Sequence, residues 1–137
     1  MQSVITRVFQ GVVWLVLAGL VVEFYLAGAA LFGVTTFQPH RALGVALAVA
    51  MLLLLVLALV ARPGRRVVGL TVLLAVLTVV QVSLPRLLPP VAALHVVNAA
   101  VLLAVTGAII RAAGRETTAI PSGLRSPEAP AAEEPST

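Results

Sequence analysis

Four long apolar runs, separated by short turn-like links, set the pattern of this chain. The first goes from Val8 to about Val34 and is interrupted only by Gln10 and Glu23. The second, Ala42–Ala61, holds no polar side chain. The third, Val67–Leu84, carries Thr71, Thr78, Gln81 and Ser83, and the fourth, Val91–Ile110, carries His95, Asn98 and Thr106. At about 1.5 Å per residue, each run as a helix can cross roughly 30 Å of hydrocarbon. Strands are excluded because the alternation of a barrel wall is absent and unpaired backbone is intolerable in lipid. A cleaved leader is not expected, since the first run is too long and three more follow it. The links Gly33–Pro39, Arg62–Arg66 and Pro85–Pro90 are too short for anything but antiparallel neighbours. The pattern predicts an all-α, up-down-up-down bundle over residues 1–112. From residue 113 to 137 the composition turns to Pro, Ala, Glu, Ser and Thr, which predicts a disordered tail.

Composition strengthens the membrane reading. Of 137 residues, 61% are hydrophobic and 10% charged, with a mean hydropathy of +1.12, far from a soluble domain. There is no Cys, which excludes disulfides, iron–sulfur ligation and thiol catalysis. All nine basic residues are Arg, which together with the Ala, Val, Leu and Gly bias suggests a GC-rich bacterial genome. The net charge of +4 does not indicate a nucleic-acid partner, because the arginines flank the apolar runs. Arg7, Arg62, Arg65, Arg66, Arg111 and Arg115 fall on one side of the topology, and Arg41 and Arg86 on the other. The positive-inside rule therefore places both termini in the cytoplasm of a multi-pass plasma-membrane protein.

The in-membrane polar residues gather in the outer half. Counting about 1.5 Å per residue from the outer boundary puts Gln81 about 5 Å, His95 about 6 Å and Asn98 about 11 Å deep. Glu23 lies near the midplane on the outer side, and His40 and Arg41 stand at the outer mouth of the second span. His95, Asn98, Leu102 and Thr106 share one helical face, as do Thr71, Thr78 and Gln81. Gly19, Glu23, Ala27 and Ala30 form a small-residue stripe suited to close helix packing. Buried charge in a membrane is costly and faces the bundle interior. Glu23, Gln81 and Asn98 can serve as interhelical hydrogen-bond glue or as outer partners of a cofactor's ligands. Trp14 and Tyr25 read as packing or lipid contact.

Three stretches carry a resemblance. Gln38-Pro39-His40-Arg41-Ala42-Leu43-Gly44, Leu94-His95-Val96-Val97-Asn98-Ala99 and Glu23-Phe24-Tyr25-Leu26-Ala27-Gly28 resemble a family of small four-span membrane proteins of unknown function, abundant in actinobacteria. The resemblance covers about residues 5–112 and implies no activity. More remotely, the His-Arg-x-Leu-Gly opening and the His early in the fourth helix are similar to one four-helix half of haem A synthase. That resemblance implies a b-type haem with His40 and His95 as axial pair. The catalytic Glu that haem A synthase carries three residues before its first His is Phe37 here, and the chain has one bundle, so haem modification is not implied.

Residue chemistry adds to this expectation. Arg41 and Arg86 can pair with haem propionates through their planar forks, and Gln81 or Glu23 can hold a His ring N–H. The estimated depths of the two histidines differ by about 6 Å, which side-chain reach and tilt must absorb. Three further readings stand beside haem binding: a cofactor-free accessory subunit of a larger membrane complex or homo-oligomer, a small carrier or proton relay through Glu23, His40 and His95, and a non-haem metal on those three residues. No Ser/His/Asp spacing, phosphate-binding glycine loop or in-membrane carboxylate pair is present, so an enzyme is not expected.

Overall fold

The computed structural model describes residues 2–118, with side chains from 4 to 115. Its elements are α1 (Gln2–Leu31), α2 (Gln38–Ala61), α3 (Arg65–Ser83), a 3-10 turn (Leu84–Arg86), a short α4 (Pro89–Ala92) and α5 (Leu94–Thr118). Helices α1, α2, α3 and α5 pack as a four-membered ring: α1 on α2, α2 on α3, α3 on α5, and α5 back on α1, with no close backbone approach across either diagonal among the described residues. All four are long and apolar enough to cross a membrane, as expected for a multi-pass membrane protein.

The links end the helices by recognisable chemistry. Gly33 takes φ +73, and Gly33 N–H and Val34 N–H reach back to Ala30 O (3.2 Å) and Ala29 O (2.8 Å). This is a Schellman stop, which glycine allows because it has no Cβ to clash in the left-handed region. Arg62 and Gly64 also have positive φ and turn the chain between α2 and α3, where Arg62 N–H caps Ala58 O at 2.9 Å. Pro89 opens α4 with its fixed φ, and the chain re-enters as α5 after Ala93. The last helix runs to Thr118, past the boundary at 112 that composition suggested. Residues 113–118 extend the helix because Ala-Gly-Arg-Glu-Thr-Thr contains no breaker stronger than one Gly. The rest of the expected tail, 119–137, lies outside the described residues.

The core is a ladder of apolar side chains at helical spacing: Phe9, Val13, Val16 and Leu20 from α1, Leu47, Met51 and Leu54 from α2, Leu74 from α3, and Leu102 and Ile109 from α5. Thr71, Thr78 and Thr106 are buried within it. Each hydroxyl donates to the carbonyl four residues earlier, at 2.8, 2.7 and 2.8 Å, which neutralises its polarity inside its own helix. Gly19 packs so closely on α2 that a Cβ there would lie 2.5 Å from Leu47 Cδ2. The small-residue stripe of α1 is therefore a helix contact at Gly19.

Candidate functional site

Polar side chains from all four long helices meet at the end of the bundle opposite the chain termini. Beyond Glu23 no α1 side chain is buried, and before Asn98 no α5 side chain is. The α1–α5 seam at this end is thus not closed by core residues, whereas the seam at the terminal end is.

Glu23 comes from the middle of α1 and His40 from the first turn of α2. The carboxylate Oε2 of Glu23 lies against Nδ1 of His40, and neither carboxylate oxygen nor that nitrogen has another partner among the described residues. Oε1 lies over Gly44, one turn along from His40, where a Cβ would come to 3.4 Å from it. Glycine at 44 leaves the space in which the carboxylate sits. Glu23 is 8% exposed, so a shared proton or charge at this pair has little water to stabilise it.

His95 is held from α3. Its Nδ1 is 3.0 Å from the backbone carbonyl of Gln81, and its Nε2 is 3.1 Å from Gln81 Nε2. Asn98, one turn further along α5, donates Nδ2–H to Gln81 Oε1 (2.7 Å) and to Leu77 O (2.9 Å). These partners fix the tautomer. Gln81 Oε1 takes the Asn98 proton, so the Gln81 nitrogen must be the donor to His95 Nε2. A carbonyl can only accept, so His95 Nδ1 carries the hydrogen. A backbone carbonyl one turn from a helix end is available to a side chain because its own helical partner is missing or weakened there.

The two histidine rings face each other across the bundle, with centroids 6.2 Å apart and planes at 79°. The depth difference estimated from sequence is therefore absorbed. Phe37 stands edge-on to His40 at 6.3 Å. Glu23 is paired with His40, not with Gln81 or Asn98. Arg41 and Arg86 are exposed and make no ion pair among the described residues. No group of three or more His, Asp or Glu able to hold a metal ion occurs among them either. The sequence pattern could not reveal the capture of His95 by the Gln81 backbone, since a carbonyl has no sequence signal.

Residues 23–86 match the model of a family of unknown function, DUF6220. The match begins at Glu23 and takes in His40 and Gln81, but stops short of His95 and Asn98. No curated protein and no solved structure matches the chain.

Proposed function

We propose that the polar end of the bundle binds one b-type haem through His40 and His95, in a plasma-membrane protein that transfers electrons or handles haem. The observation that supports this is the matched state of the two rings. Each Nδ1 faces an acceptor, the Glu23 carboxylate in one case and the Gln81 carbonyl in the other. A carboxylate or carbonyl on Nδ1 is the outer partner that metal-bound histidines use, and it leaves the lone pair on Nε2. The spacing fits as well. The ring centroids stand 6.2 Å apart, close enough that the two imidazoles would be able to hold one iron between them.

The remaining residues have roles in this reading. The open α1–α5 seam gives the porphyrin an entry from the bilayer. Arg41 and Arg86, at this same end, would take the propionates. Bound haem supplies a one-electron iron couple whose potential depends on ligands and burial. Gln81 occupies the His95 lone pair and has to rotate away for the iron to bind. The six-to-two arginine count supports an orientation with this end outside and both termini in the cytoplasm.

A cofactor-free accessory subunit is the second reading, favoured by the mutual satisfaction of Gln81, His95 and Asn98. Haem-replete expression, purification in detergent, and oxidised and dithionite-reduced spectra separate the two. Haem binding gives a Soret band that His40→Ala and His95→Ala each abolish. A folded, colourless wild-type protein overturns it and leaves the accessory reading.

A further inference from the structure

The terminal end of the bundle carries a second site on the opposite side of the core from the histidines. A groove of about 280 Å³ lies in the α1–α5 seam, lined by Phe9, Gln10, Gly11, Val13, Trp14, Ile110, Ala113 and Gly114. Phe9 and Val13 are buried beneath it, and Trp14 is its exposed apolar side chain. The walls are low because Gly11 and Gly114 have open space where a Cβ would stand.

Charge flanks this groove. Arg7 precedes Gln10 and Gly11 by one turn on the same face of α1, and Arg111 lies between Ile110 and Gly114 on α5. Both are exposed and have no acidic partner among the described residues. Arg111 bends back along its helix, so that Nη1 would lie 3.5 Å from a Cβ on Gly107. Its guanidinium thus lies alongside the preceding turn of α5. Two arginines at the end of the spans attract an anion, and a phosphate diester matches the planar fork of arginine.

We infer that this groove is a binding site for a single anionic phospholipid. One acyl chain lies against the accessible lining, Trp14 and Ile110 with the two glycines, and the phosphate is held by Arg7 and Arg111. The apolar lining and the cationic rim are both needed: the lining alone would accept any lipid, and the rim alone would give only diffuse attraction.

Trp14, the only tryptophan of the chain, lines the groove and reports its occupancy. The full-length protein is reconstituted in mixed phosphatidylglycerol–phosphatidylcholine vesicles in which one or the other lipid is brominated. Brominated phosphatidylglycerol should quench Trp14 beyond its mole fraction. Arg7→Gln/Arg111→Gln should weaken that preference about tenfold or more. Gly11→Leu, whose Cβ enters open space in the groove, should weaken quenching by both lipids. Arg65→Gln/Arg66→Gln, which removes equal charge from the α2–α3 turn, should leave the preference unchanged. Equal quenching by the two lipids in the wild type overturns the inference. So does an equal loss of preference in the two double-arginine variants, which would mean diffuse surface attraction.

Discussion

His95 is gripped at both ring nitrogens by one residue: Gln81 accepts from Nδ1 through its backbone carbonyl at 3.0 Å and covers Nε2 with its side-chain amide at 3.1 Å. The two contacts differ in kind. The carbonyl contact belongs to the backbone of α3 and survives any substitution at 81. The amide contact belongs to the side chain and competes with a metal for the same lone pair.

Removal of that amide should therefore help haem binding. Gln81→Ala frees His95 Nε2 while the Nδ1 anchor remains. A net hydrogen bond of about 0.5–1.5 kcal/mol no longer has to be broken, equivalent to a two- to tenfold gain in affinity. Titration of apoprotein with haem, followed at the Soret band, measures it. A weaker affinity than wild type would mean that Gln81 assists the ligand rather than blocking it.

Asn98 bridges α5 to α3 through Leu77 O and Gln81 Oε1. Asn98→Ala loses both bonds, and interhelical hydrogen bonds in membranes average about 0.6 kcal/mol with a ceiling near 1.7. Thermal unfolding in detergent should show a loss within that range for each bond. An unchanged midpoint would mean that the bridge adds no net stability.

The Glu23–His40 pair should be more costly to break than to replace. Glu23→Ala or His40→Ala leaves a buried polar group without its partner, at about 3–5 kcal/mol, whereas an apolar pair of similar volume is nearly neutral. Glu23→Leu/His40→Leu is thus expected to be more stable than either single alanine variant. Denaturation of the four proteins in one detergent decides it. A double variant less stable than either single would show that the two side chains do not form a costly buried pair.

Gly19 should accept no side chain without a response from Leu47. Gly19→Ala places a methyl 2.5 Å from Leu47 Cδ2, an overpacking expected to cost about 1–3 kcal/mol. Leu47→Ala in the same chain should recover part of that loss. Gly28→Ala, where nothing lies within 4 Å, should be neutral or slightly stabilising. Melting midpoints that rank the three otherwise would refute the close α1–α2 approach.

Topology is open to direct labelling because the chain has no Cys. Leu88→Cys, in the exposed link before α4, should react with an impermeant maleimide in intact cells, and Arg65→Cys only after lysis. The reverse result would place the termini outside.

The number of spans, their order and the short links could be read from the sequence. Lipid imposes one rule everywhere: an apolar run of sufficient length must become a helix that satisfies its own backbone. Gln81, His95 and Asn98 were likewise legible as one polar zone, because depth follows from counting residues along a helix. What each of them touches was not. Partner choice depends on helix rotation and rotamer, and a backbone carbonyl such as that of Gln81 has no signature in the amino-acid pattern. The tertiary structure alone decided that Glu23 goes to His40, that Gln81 takes His95, and that the two rings meet 6.2 Å apart. Membrane insertion is settled by composition along each helix, but a site is settled by packing between them.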